Sequence, residues 1–275
     1  MSKLRTNSRP SILIAILLPP IGTAFLMAVA WLSAPSAMAA EGFGYDDTPF
    51  LPNSQWRVHD RKRPQPPMVA PGKEPGAPPA DAIVLFDGKD LSQWDGGDPK
   101  GIEDGVINIR KTGQLRTKKP FGDCQLHIEW ATPEKDDGGP MNWGNSGVIF
   151  MEKYELQIIE SHDSRIYADG IAGAIYGQTP PMVNPSRKPG QWQTFDVVFT
   201  APKFQDGKLA KPAYFTVFWN GVLVQCHKAS LGPMRHRSLA TYAGEKDSTG
   251  PLLLQQHGSA VRFRNIWIRP LKLED

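Results

Sequence analysis

The chain has 275 residues, 40% hydrophobic and 21% charged, a globular composition that excludes a disordered or collagen-like chain. Its formal net charge of +3 comes from Lys3, Arg5 and Arg9, because residues 1–39 hold no acidic group. From residue 40 onward 28 Lys and Arg face 28 Asp and Glu, so the cationic excess that nucleic-acid binding needs is missing.

The three early cations precede an apolar run from Ile12 to Leu32 and then Ala37-Met38-Ala39. A basic start, an apolar middle and a small-residue site predict a secretory signal over residues 1–39, cleaved after Ala39. The expected location is therefore periplasmic or secreted, with membrane attachment only if the segment stays uncleaved. Residues 40–80 carry nine prolines between Pro49 and Pro79 and read as an extended lead-in. Trp56-Arg57-Val58-His59-Asp60 within it is too specific for an inert spacer and is expected to pack on the domain. Whether the lead-in also lines a site is open.

From Asp81 to Lys272 the pattern is all-β and fits one domain. Short runs of Val, Ile, Phe, Trp and Tyr alternate with Gly, Asn, Asp and Pro, and no segment holds a helical period over three turns. Asp104-Gly105 and Asn220-Gly221 are hairpin signals. Cys124, Leu126, Ile128 and Trp130 alternate with Gln125, His127 and Glu129, and Phe195, Val197 and Phe199 give another inward face. In Val261–Ile268 the apolar phase slips, which predicts a bulge near Arg264-Asn265. About ten strands and no internal repeat predict two packed antiparallel sheets, a sandwich. Cys124 and Cys226 both lie in strand-like patterns; a disulfide and two buried thiols are equally open.

The polar groups of interest begin with Tyr154-Glu155-Leu156-Gln157-Ile158-Ile159-Glu160. Glu155 and Gln157 are two apart and share a strand face, either as the floor of a polar ligand site or as a wet outer surface. Glu155 and Glu160 cannot form a glycosidase pair in one straight strand. Five steps at ~3.3 Å separate them by roughly 16 Å on opposite faces, against the about 5–9.5 Å such a pair needs. A bend could bring them together; otherwise a partner must come from another strand, such as Glu129 or Asp196. Gln255 and His257 share a face after Leu252-Leu253-Leu254, and His257 beside Gly258 suits proton transfer or a surface turn. Arg262 suits an oxyanion or a hydroxyl, or a solvated strand. Trp143, Trp192, Tyr154 and Tyr176 are sugar-stacking candidates or core residues. Asp136-Asp137-Gly138-Gly139 reads as a calcium loop or a solvated turn, and His162-Asp163 as a weak metal pair. No His-Glu-x-x-His, Gly-x-Ser-x-Gly or phosphate loop is present.

Several motifs together resemble one bacterial family. They are Phe86-Asp87-Gly88-Lys89-Asp90-Leu91 with Trp94, Gly144-Asn145-Ser146-Gly147, Tyr154-Glu155-Leu156-Gln157 and Gly173-Ala174-Ile175-Tyr176-Gly177-Gln178. Gly190-Gln191-Trp192-Gln193-Thr194-Phe195-Asp196, Asn220-Gly221-Val222, Leu253-Leu254-Gln255-Gln256-His257-Gly258 and Val261–Ile268 extend it over residues 81–272. The chain thus resembles the 3-keto-disaccharide hydrolase, or 3-keto-glucoside 1,2-lyase/3-keto-2-hydroxy-glucal hydratase, domains. Glu160 departs from an expected aspartate, and Gln256 stands where an acidic residue is common.

The resemblance implies a concanavalin A-like jelly-roll sandwich and action on oxidised glycosides. A C3 carbonyl acidifies the C2 hydrogen; a base removes it, the C1 substituent leaves, and water adds back. Within that scheme Glu155 is the expected C2 base, or a ligand if a divalent cation binds. His257 is the acid/base group at the leaving oxygen, and Tyr176 or Arg262 stabilises the enolate. Asn145, Gln157, Gln178 and Gln255 hold hydroxyls, and Trp143 or Trp192 stacks. The sequence requires no cofactor; weak metal candidates are Glu155, Glu160 and His162. The expected partner is a carbohydrate, an oxidised glucoside or disaccharide. A non-catalytic carbohydrate-binding module and an envelope scaffold are the competing readings.

Overall fold

Two-residue turns set much of the strand pairing. Asp104 and Gly105 adopt φ of +50° and +74°, Asp206 and Gly207 +51° and +71°, and Asn220 and Gly221 +51° and +78°. Paired positive φ values match the twist of the flanking strands, which is why Asx-Gly occupies each turn. The computed structural model describes residues 45–52, 54–64, 66–139, 141–163 and 166–273, so the expected signal segment lies outside the described residues.

Two units are present, Met1–Pro67 and Met68–Asp275. In the first, Phe50 pairs with Arg57 and Tyr45 with Asp60. The Arg57 guanidinium lies 4.0 Å over the Phe50 ring, and the Asp60 carboxylate accepts from the amides of Arg57 and Lys62. Trp56–Asp60 is thus one side of a local hairpin-like fold.

Among the described residues the second unit holds fifteen strands in chain order. They are β1 (Ile83–Phe86), β2 (Trp94–Asp95), β3 (Ile102–Glu103), β4 (Val106–Asn108), β5 (Leu115–Phe121), β6 (Cys124–Ala131), β7 (Ser146–Phe150) and β8 (Tyr154–Ile158). There follow β9 (Gln193–Thr200), β10 (Lys203–Gln205), β11 (Lys208–Lys211), β12 (Tyr214–Trp219), β13 (Val222–Ala229), β14 (Gly250–Leu254) and β15 (Arg262–Pro270). The larger, eight-stranded sheet runs β13-β12-β9-β6-β15-β4-β3, with β1 also on β15, and the five-stranded sheet runs β2-β5-β14-β7-β8. Neighbouring strands are antiparallel throughout both sheets, and the expected all-β sandwich is what forms. One α-helical turn, α1 (Ile109–Thr112), interrupts it.

The core is aromatic and drawn from both sheets. Phe150 of β7 stacks on Phe199 of β9 at 4.6 Å, and Tyr154 of β8 reaches the same ring at 5.8 Å. Trp130, Phe195 and Trp219 pack together deeper in the larger sheet. Burying such rings supplies the main stabilising area of a sandwich.

The predicted slip in β15 is a bulge. Pairing with β6 shifts between Arg264 and Trp267, and Asn265 takes φ +44°. Asn265 Nδ2 and Trp267 Nε1 both donate to the carbonyl of Gly76, each at 2.9 Å. Residues 68–80, part of the expected lead-in, therefore join the sandwich unit. Beneath Gly76, His127 stacks on Trp267 and holds Asp196 Oδ1 at 2.7 Å from its Nδ1. Glu129 is bound by Arg264 and Asn265. Both carboxylates named as partners for Glu155 are thus engaged on the larger sheet.

The cysteines follow neither expected arrangement. Cys124 is buried and Cys226 exposed, and both are free. Register shifts between β12 and β13 make the adjacent Val224 and Gln225 both buried, which turns Cys226 outward against strict alternation. Burial pushes the Cys124 thiol up, so it is an inert core group.

Candidate active site

β7 and β8 form a hairpin whose register places Gly147 opposite Gln157 and Ile149 opposite Glu155. Tyr154, Leu156 and Ile158 point into the core. Alternation then sends Glu155 and Gln157 to the outer face of the smaller sheet. That face is not solvated: Glu155 is 5% exposed and Gln157 3%. The 173–176 segment covers the free edge of β8, with Gln157 N donating to Ala174 O and Tyr176 N to Glu155 O.

Over this face lies a cavity of about 510 Å³ lined by Asn145, Glu155, Gln157, Tyr176, Gln255 and His257. Met141, Asn142, Ile159, Tyr167, Met234 and His236 complete its wall. Six residues predicted from the sequence are thus brought together from three chain regions.

Glu155 is its most perturbed carboxyl. Burial raises it from 4.5 to about 7, and no described group hydrogen-bonds or neutralises its carboxylate. Gly147 makes the space it needs. A Cβ at position 147 would sit on Glu155 Oε1, with Cδ and Cγ at 3.1 Å. Gln157 Oε1 accepts from the Ile158 amide at 3.1 Å, which leaves its NH2 group for the cavity.

Tyr176 OH lies 2.9 Å from His236 Nδ1 and 3.4 Å from Tyr167 OH. Burial first, then Tyr167 and the charge of Glu155, pushes its phenol up, so it is a neutral donor near pH 7. His257 is fixed by two asparagines. Its Nδ1 is 3.0 Å from Asn142 Oδ1 and 3.4 Å from Asn145 Nδ2, while Asn145 Nδ2 donates to Asn142 Oδ1 at 3.0 Å. The shorter contact decides: Nδ1 carries the proton toward Asn142, and Nε2 remains for a ligand.

The Asp136-Asp137 loop is a clasp. Asp137 accepts from Ser259 Oγ at 2.6 Å and Ala260 N at 2.7 Å, and Gly144 N donates to Ser259 Oγ at 3.0 Å. Asp136 closes its own turn on Gly138 and Gly139. The clasp ties the His257 turn to the Asn142–Asn145 loop. Asp137→Ala is expected to cost about 2 kcal/mol, since it strands two donors of a charge-assisted set. Urea unfolding checks this, and an unchanged midpoint would remove the clasp.

Other candidates lie elsewhere. Arg262 donates to Gly190 O at 2.8 Å and, with Arg264, flanks the Trp192 ring. It borders a separate cavity of about 730 Å³ with Asn108 and Glu134. Trp143 Nε1 donates to Pro133 O, and Trp143 is absent from the Glu155 cavity wall. Gln178 is consumed by the 230–232 segment, accepting from Leu231 N at 2.7 Å and donating to Gly232 O at 3.0 Å. Glu160 is buried and accepts from the amides of His162 and Asp163, while the His162 ring pairs with Asp163. Glu155, Glu160 and His162 therefore do not form one donor set, and among the described residues no cluster of three or more His, Cys, Asp or Glu could hold a metal.

Asn142, Tyr167, Met234 and His236 were not foreseen. All four sit outside strands, where no periodicity assigns a face; only the amide-rich Asn142-Trp143-Gly144-Asn145 run offered a hint.

Residues 81–269 match the model of the 3-keto-alpha-glucoside-1,2-lyase-like domain. A crystal structure of a candidate glycosyl hydrolase from Parabacteroides distasonis ATCC 8503 is 39% identical, covering 76% of this chain and 93% of that one with a TM-score of 0.70. A second candidate glycosyl hydrolase from that organism shares the fold at 24% identity and a TM-score of 0.50, covering 69% and 99% of the two chains. No curated protein matches the chain. With a family model spanning most of its length and a 39% identical relative beside it, this carbohydrate-active enzyme belongs to the 3-keto-alpha-glucoside-1,2-lyase-like family.

Proposed function

We propose that the Glu155 cavity cleaves 3-keto-glycosides by 1,2-elimination followed by hydration. The observation that carries this is the unpartnered, buried carboxyl of Glu155, poised at about 7 on the floor of a polar cavity. A general base works best when its pKa lies near the working pH. Family membership supports the substrate class.

In the proposed cycle Glu155 removes the C2 proton made acidic by the C3 carbonyl, giving an enolate. Tyr176, kept neutral, donates a hydrogen bond to the enolate oxygen. Electrons returning from the enolate form the C1=C2 bond and expel the C1 oxygen, which His257, doubly protonated at the start of the cycle with Nδ1–H held on Asn142, protonates from Nε2. Water then adds at C1 while His257, having given up its proton, takes one from it, and Glu155, its own proton exchanged with solvent, protonates C2, so the sum is hydrolysis. Asn145, Gln157 and Gln255 hold the sugar hydroxyls.

The test is incubation of the protein with a 3-keto-glucoside and its unoxidised parent in heavy water, with and without chelator. Cleavage of the keto sugar alone, with deuterium at C2, is expected. Saturable binding without cleavage of either sugar would favour a carbohydrate-binding module instead. Asn142→Ala, which frees the His257 ring, is expected to lower kcat about tenfold with KM little changed. Asn142→Asp should keep the ring oriented and move the alkaline limb of the pH–rate profile upward. An unaltered limb would show that this contact does not reach the acid group.

A further inference from the structure

The Glu155 cavity does not end at Tyr176. A second cavity of about 680 Å³ shares Met141, Tyr167, Tyr176 and His236 with it, so the two are compartments of one cleft. Their chemistry differs. The first is walled by Glu155 and neutral amides, suited to a sugar ring. The second is flanked by Arg235 and Arg237, both exposed, with Leu239 83% exposed beside them. Neither arginine makes an ion pair among the described residues, and Asp169 is the one carboxylate in that wall. Arg237 takes φ +60°, a conformation costly for a residue with a side chain and often kept where a site needs it.

We infer that the second compartment is the leaving-group subsite, and that it selects glycosides whose departing group joins an aromatic ring to an acidic substituent. The inference rests on the proposed cleavage reaction at Glu155. Tyr176 and His236 mark the boundary between the compartments, where the bond between sugar and leaving group would lie. Tyr167 and Leu239 offer the face for a ring. Arg235 and Arg237 supply planar donors that fit a carboxylate or sulfate.

The test separates binding from turnover. Affinities of 4-carboxyphenyl glucoside and phenyl glucoside, both unoxidised, are measured by calorimetry at low and high salt. The protein should favour the carboxylated ligand about tenfold at low salt, with the preference shrinking as salt screens it. The Arg235→Gln/Arg237→Gln double variant should lose the preference and keep its affinity for phenyl glucoside. Arg235→Lys/Arg237→Lys should retain part of it. Equal binding of the two ligands, no saturable binding of the carboxylated one, or a preference that survives in the glutamine variant overturns the subsite. The 3-keto forms of both glycosides report on the chemistry separately. Turnover without preference sinks the subsite alone, and preference in binding without turnover sinks the reaction alone.

Discussion

Glu155→Gln is expected to lower kcat by about 10²–10⁴-fold, the usual contribution of a positioned base, with sugar binding retained. The same change should stabilise the fold above neutral pH. The carboxyl rises from 4.5 to about 7 because the folded protein desolvates its charge without offering a partner. Below pH about 4.5 it is protonated whether folded or unfolded, and the penalty is absent. Between 4.5 and 7 the unfolded chain releases its proton first, so stability falls as pH rises. Above about 7 the full shift applies, roughly 3 kcal/mol. Glutamine has no charge to desolvate, so the variant should gain about that much at pH 8 and almost nothing at pH 4.5. Denaturant midpoints at the two pH values decide the matter. An equal difference at both would trace the effect to packing and remove the elevated carboxyl from the mechanism. Activity of the unaltered protein should rise through pH 7 as the base ionises.

Gly147→Ala is expected to be nearly as damaging to turnover, though position 147 has no side chain to offer a substrate. In an open strand alanine is preferred over glycine by roughly 0.5–1 kcal/mol. Here the sign reverses, because the new methyl lands on Oε1 of Glu155 in the neighbouring strand. Overpacking of this kind costs about 1–3 kcal/mol, and a shift of the base by about 1 Å is worth around 10²-fold in rate. The Gly147→Ala/Glu155→Ala pair should recover the stability lost by Gly147→Ala alone, since the clash needs both groups. Additive losses would mean that Gly147 matters for the strand and not for the carboxyl. A crystal structure of the single variant should show the Glu155 carboxylate displaced from its present position.

The sandwich was legible because its signals are local. Asn220-Gly221 demands a tight turn, and the phase slip before Ile266 leaves few alternatives to a bulge. The shared face of Glu155 and Gln157 followed from period two, and Gln255 and His257 arrive beside them because β14 pairs with β7. What alternation does not disclose is which sheet a strand joins. Arg262 and Trp192 have suitable chemistry, yet β15 and the start of β9 belong to the larger sheet, away from the Glu155 cavity. Gln178 lies close in sequence to Tyr176 but turns to hold the backbone at residues 230–232. Cys226 misled for a different reason, since register shifts within its own strand, β13, against β12 break the period on which its placement rested. His236 and Tyr167 reach the cleft from irregular segments, where only the folded chain says what faces what.

Gly76 gives the catalytic unit a beginning that its family match does not mark. The match starts at residue 81, but the carbonyl of Gly76 accepts from both Asn265 and Trp267. A recombinant protein started at residue 81 would leave the indole N–H of a nearly buried tryptophan without its acceptor. It would also uncover the buried ring of His127, which lies against Gly76. For expression and crystallisation the useful start is at or before Met68, where the folded unit itself begins.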